Sequence, residues 1–97
     1  MIKSSQHKGL EKFFLTGEMK GIQANHAKRL RFILGILDAL TSLDDFKQYP
    51  SLEAHPLKGK MKGFWAVKVS GNWRVVFRWK SPDVDGVDYV DYHQEIL

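Results

Sequence analysis

The sequence predicts an α+β domain, with two early helices packed on a mostly antiparallel sheet in the order β-α-α-(β)-β-β-β. Two observations carry this. Between Leu10 and Leu40 the apolar residues recur at helical spacing, as in Leu30, Ile33, Leu34 and Leu37. From Gly63 onward the period falls to two, in runs rich in aromatic and β-branched residues, Phe64 to Val69 and Trp73 to Trp79. A chain of 97 residues suits one domain spanning 1–97.

Each element can be placed in turn. Met1 to Gln6 reads as a short first strand with Ile2 toward the core. Leu10, Phe13 and Phe14 define a first helix that stops at Gly17. Ile22, Ala27, Leu30, Ile33, Leu34, Leu37 and Leu40 form the apolar stripe of a second helix. Lys20, Lys28, Arg29 and Arg31 lie largely off that stripe and read as its wet side. Gly35, inside this helix, should cost about 1 kcal/mol relative to Ala, and close packing against another element would explain it. Thr41 to Pro56 is a connector, with a short edge strand at Leu52 to Leu57.

Ser70-Gly71 suits a two-residue hairpin turn. Val67 then pairs with Arg74, Trp65 with Val76, Ala66 with Val75 and Phe64 with Phe77, and paired residues share a face. One face carries Phe64, Ala66, Trp73, Val75, Phe77 and Trp79, and seats the helices. The other carries Trp65, Val67, Arg74, Val76 and Arg78, a basic and aromatic mixture suited to binding. Ser81 to Gly86 reads as a turn, and a last strand runs from about Val87 to His93.

Composition narrows the function. The formal net charge is +4, and the basic residues are spread along the chain. This favours a polyanionic partner, whether nucleic acid, an acidic protein or an anionic membrane. Zero cysteines exclude disulfides, thiolate catalysis and cysteine-held zinc. No secretory leader or membrane span is visible, which fits the cytoplasm and no membrane partner. Asp83, Asp85 and Asp88 surround Gly86 without the spacing of a calcium loop, and read as a hairpin turn rather than a metal site. No phosphate-binding loop or dinucleotide fingerprint is present, and neither metal nor cofactor is expected.

The densest chemistry is Asp91-Tyr92-His93, with His55, Lys58, Lys60 and Lys62. RNA cleavage needs such a set. A base takes the proton from the 2′-hydroxyl, cations hold the phosphorane and an acid protonates the leaving 5′-oxygen. Polar residues at a strand end would look much the same. The Arg74, Arg78 and Trp65 face could hold phosphate and stack a base, or be a solvated sheet face. His7 and His26 have no motif around them and read as surface residues.

Several blocks in order resemble the HigB-type toxins of the RelE/ParE superfamily, from type II toxin–antitoxin operons. They are His7-Lys8-Gly9-Leu10-Glu11-Lys12-Phe13-Phe14, Lys20-Gly21-Ile22-Gln23-Ala24, Ala27-Lys28-Arg29-Leu30, His55-Pro56-Leu57-Lys58-Gly59, Lys62-Gly63-Phe64-Trp65, Gly71-Asn72-Trp73-Arg74 and Val90-Asp91-Tyr92-His93. The resemblance implies a RelE-like fold and metal-independent, ribosome-dependent cleavage of mRNA in the A site. It implies a HigA-like helix-turn-helix antitoxin as partner, with operator DNA reached only through the antitoxin complex. The family's active-site residues fall on His55, Lys58, Asp91, Tyr92 and His93, and its sheet arginine on Arg74. His55 and His93 would move protons, Asp91 would orient or charge-balance a histidine, and Tyr92 would stack on a base or orient the phosphate. Lys58 and Arg74 would stabilise the phosphorane, with Lys60, Lys62 and Arg78 contacting phosphate. Relatives have Asn-Gly where this chain has Ser70-Gly71, and many end near the histidine, where Gln94 to Leu97 follow here. The alternatives are a protein-targeting, ParE-like gyrase inhibitor, which would not need the histidines, and a non-catalytic RNA- or antitoxin-binding domain.

Overall fold

A computed structural model describes residues 1–91 of the chain. Two helices, α1 (Lys8–Thr16) and α2 (Ala27–Ala39), precede a four-stranded antiparallel sheet. Its strands are β1 (His55–Pro56), β2 (Phe64–Ser70), β3 (Trp73–Lys80) and β4 (Asp83–Asp91), and they lie side by side in chain order. The expected first strand is reduced to two isolated bridges, Ile2 to Val84 and Ser5 to Val87, both parallel.

Helix α1 begins at His7, whose Nδ1 accepts the Leu10 amide at 3.0 Å. It ends at Gly17, where a left-handed φ of 81° lets the Gly17 amide donate back to the Phe13 carbonyl. Leu10 and Phe13 are buried, whereas Phe14 remains 38% exposed. Helix α2 buries Ala27, Leu30, Ile33, Leu34 and Leu37 against the sheet. Its first expected residue, Ile22, lies ahead of it, before a 3-10 turn at Ala24–His26. Gly35 does not mark a close contact: it is exposed, and an added Cβ would meet nothing within 4 Å. The close approach is elsewhere, where a Cβ on Gly9 would sit 2.6 Å from the Gly21 Cα.

The hairpin register differs from the expected one by a residue. Trp65 pairs with Phe77, Ala66 with Val76, and Val67 with Val75. The two-residue link is Gly71-Asn72, closed by a Ser70–Trp73 pair, with a bulge between Lys68 and Ser70. Gly71 takes the positive φ of 55° that such a turn requires. Because side chains alternate, a one-residue slip moves a whole strand to the other face. Trp65 and Val67 therefore join the helix-side core with Val75 and Phe77. Phe64 and Ala66 lie on the opposite face with Arg74, Val76 and Arg78.

The run Asp83 to Asp88 is strand rather than turn, since the link from β3 is only Ser81-Pro82. Gly86, at φ 61°, sits in a bulge opposite Phe77. The extra residue lets Val84 and Val87, three apart, both point into the core. That irregular spacing hid the first half of the strand from a period-two reading, whereas the strand expected from about Val87 overlaps its second half.

Candidate active site

The sheet face away from the helices is built in three cross-strand rows. The middle row is His55, Ala66, Val76 and Asp88. Toward the β2–β3 turn lie Lys68, Arg74 and Val90, and toward the other end Phe64, Arg78 and Asp85. Leu57, Ala66, Val76 and Val90 form a buried apolar floor, with Met61 and Phe64 packed on it. The turn Gly59–Met61 borders this floor and exposes Lys58, Lys60 and Lys62. A histidine, four lysines and two arginines thus surround one apolar patch.

His55 is half-buried, and its position is set by the backbone before it. Glu53 takes the left-handed conformation, φ 48° and ψ 44°, which turns the chain into β1. The Glu53 carbonyl lies 2.9 Å from His55 Nδ1. A carbonyl only accepts, so Nδ1 donates this bond. The Glu53 carboxylate meets Lys68 at 3.2 Å across the same edge. Arg29, expected on the wet side of α2, is half-buried and braces this edge instead. It donates to the Ser51 carbonyl at 2.9 Å and to the Lys68 carbonyl at 3.2 and 3.3 Å.

The two sheet arginines are held differently. Arg74 donates through Nη1 to the carbonyls of Gly71 at 2.7 Å and Trp73 at 3.0 Å, at the mouth of the turn. With strands about 4.8 Å apart and residues about 3.4 Å along them, its backbone lies about 12 Å from that of His55. Arg78 grips Asp85 with Nε and Nη2, and stands 5.9 Å from the Phe64 ring centre. The hydrogen bond from Arg78 holds the Asp85 carboxyl below the usual carboxylate range, and the same bond raises Arg78.

Asp91 ends β4 opposite Trp73, on the helix-side face with Tyr89. The sheet therefore gathers His55, Arg74 and Arg78 on one face and sets Asp91 at the strand end on the other. Tyr92 and His93 lie outside the described residues. No group of three His, Asp or Glu side chains suited to a metal ion occurs among the described residues.

Two histidines expected at the surface are part of the packing. His26 is 4% exposed, and its Nδ1 lies 2.6 Å from the Tyr89 hydroxyl. Burial lowers the His26 pKa and raises that of Tyr89. His7, half-buried at the start of α1, meets the Tyr89 ring edge-on at 5.4 Å. The signal for His26 was present, since positions 26, 30, 33 and 37 share one helical stripe.

An early helix pair against an antiparallel sheet has counterparts among solved structures. The chain superimposes on YafQ from E. coli over 100% of its length and 98% of that chain, with a TM-score of 0.66 at 14% identity. It also matches the E. coli DinJ-YafQ toxin-antitoxin complex, over 100% of this chain and 97% of that one, at a TM-score of 0.57 and 17% identity. Identities this low speak for the fold alone. In sequence, residues 3–93 match the family described as the RelE-like toxin of type II toxin-antitoxin system HigB. Endoribonuclease HigB of Proteus vulgaris is 36% identical over 93 residues, 96% of this chain and all of that protein. The chain belongs to the HigB-like toxins of type II toxin–antitoxin systems.

Proposed function

We propose that the protein is an endoribonuclease that arrests translation by cutting mRNA in the ribosomal A site. The observation that carries this reading is the single sheet face joining His55 to Arg74, Arg78 and the Lys58, Lys60 and Lys62 rim. Its support in sequence is the P. vulgaris relative, which is named an endoribonuclease. The substrate's 2′-hydroxyl is the nucleophile, so no protein nucleophile, metal or cofactor is required. His55 and His93 exchange the protons. Lys58 and Arg74 stabilise the phosphorane, and Lys60, Lys62 and Arg78 track the backbone. Asp91 orients or charge-balances a histidine from the strand end, and Tyr92 stacks on a base or orients the phosphate.

The single domain works in the cytoplasm and is silenced by a HigA-like helix-turn-helix antitoxin, through which alone it reaches operator DNA. The test is single-turnover cleavage of A-site mRNA on purified ribosomes. Proton transfer by a placed side chain is worth ~10²–10⁴-fold, so His55→Gln and His93→Gln should each lose about that much. Both variants should melt normally and keep the antitoxin. Wild-type rates for both would remove the histidines from the chemistry, and a wild-type toxin that leaves mRNA intact would overturn the reading.

A further inference from the structure

A buried polar pair lies directly beneath the end of β4. His26, at the junction of the 3-10 turn and α2, bonds Tyr89 at 2.6 Å, and Trp73 packs on the Tyr89 ring at 4.7 Å. His26 also meets Trp73 edge-on at 5.8 Å. Trp73 is the register partner of Asp91, and Tyr89 precedes Asp91 by two residues on the same face. His7 closes the cluster from the start of α1. Both helix starts and strands β3 and β4 thus converge beside Asp91, at the end of β4.

Packing alone would fill this place with apolar side chains, because a buried polar group must be matched by a partner to avoid a desolvation penalty. A short, directional bond between helix layer and sheet instead fixes the angle at which β4 ends. Reaction geometry is sensitive to such angles: a displacement of about 1 Å can cost ~10²-fold in rate.

We propose that His26 and Tyr89 are positioning residues, a couple that sets the end of β4 and so the placement of Asp91 relative to the RNA. The proposal rests on the active-site reading given above. Neither residue touches the reacting atoms.

The test uses the intact toxin on ribosomes programmed with mRNA, comparing the cleavage rate at saturation with the ribosome concentration giving half-saturation. Tyr89→Phe, which deletes one oxygen, should slow cleavage at saturation about 10-fold or more and leave half-saturation unchanged. His26→Leu should do the same. His26→Asn, whose amide can reach toward the Tyr89 hydroxyl, should recover most of the rate. All rates are taken well below each variant's melting point. In an Asp91→Asn background Tyr89→Phe should cause no further loss, because residues acting through one another are not additive. A Tyr89→Phe toxin cutting at the wild-type rate overturns the couple. So does a loss that appears wholly in half-saturation, or one of equal size with Asp91→Asn present. If Asp91→Asn and His93→Gln cut at full rate, the active-site reading falls and takes the couple with it. If only the Tyr89 and His26 variants are normal, the couple falls alone.

Discussion

Arg78 holds the carboxylate of Asp85 across β3 and β4 through two hydrogen bonds, of 2.9 and 3.1 Å. This fork-to-fork pairing sits at one end of the basic face, and Lys80 reaches the same carboxylate at 3.8 Å. The charge of Arg78 is therefore already answered, unlike that of the exposed lysines on the Gly59–Met61 turn.

The first prediction follows for salt dependence. Each phosphate contact on single-stranded RNA adds about 0.7 to the slope of log affinity against log salt. Lys60→Ala with Lys62→Ala should lower that slope by about 1.4, whereas Arg78→Ala should lower it by less than one lysine does. Binding of mRNA fragments across a salt series checks this. An Arg78→Ala effect equal to the double lysine variant would mean Asp85 releases Arg78 on binding.

Acid should weaken the fold through His26. Its pKa is lowered by burial, so the unfolded chain takes up a proton at higher pH than the folded one does. Stability is complete above the ordinary value of 6.5 and declines as pH falls from there toward the lowered folded value. The titratable groups facing the imidazole are the Tyr89 hydroxyl and, against that tyrosine, the His7 ring, while the Trp73 ring packs edge-on beside it. Thermal melting at stepped pH should show the decline in wild type and a flatter profile in His26→Asn. Equal slopes would assign the acid sensitivity elsewhere.

Two glycines should respond to alanine with opposite signs. Gly9 lies against the Gly21 backbone, so Gly9→Ala forces a backbone shift and should cost about 1–3 kcal/mol. Gly35→Ala adds a methyl into open space on a helix and should gain about 1 kcal/mol. Urea unfolding of both variants decides the matter, and a stable Gly9→Ala protein would show that the approach of the loop to α1 is loose.

Trp65 and Phe64 should separate stability from binding. Trp65 packs on the helix side, stacked against Phe46 at 6.4 Å, and Trp65→Ala should cost about 3 kcal/mol with RNA affinity kept. Phe64 lies on the basic face beneath Arg78, and Phe64→Leu should weaken RNA binding more than it weakens the fold. Paired melting and binding measurements that show the reverse would restore the register with Ser70-Gly71 as the turn.

What could be read from sequence was whatever obeys a strict period. The α2 stripe, the Gly17 stop and the hairpin at residues 64–80 all do. The faces of β2 were misjudged because Ser70-Gly71 and Gly71-Asn72 are both good turns, and period two converts one residue of slip into a change of side. Gly86 misled for a related reason, since a bulge in a strand and a glycine in a turn share the same positive φ. Of the site, His55 and Arg74 come to one face as a strand reading allows. The roles of Arg29, His7 and His26 depend on partners far along the chain, such as Lys68 and Tyr89. The helical stripe reports that His26 is buried, but no local pattern reports those partners.

The bridges from Ile2 and Ser5 to β4 bear on the timing of folding. Ser5 Oγ meets the Val87 carbonyl at 3.1 Å across 82 positions of sequence. The β2–β3–β4 meander can zip locally, but β4 acquires its second flank only when residues 2–5 return to residues 84–87. Contacts of such separation form late and slowly, because loop closure must precede any gain from them. The end of β4 before Asp91 is therefore among the last parts of the fold to be completed.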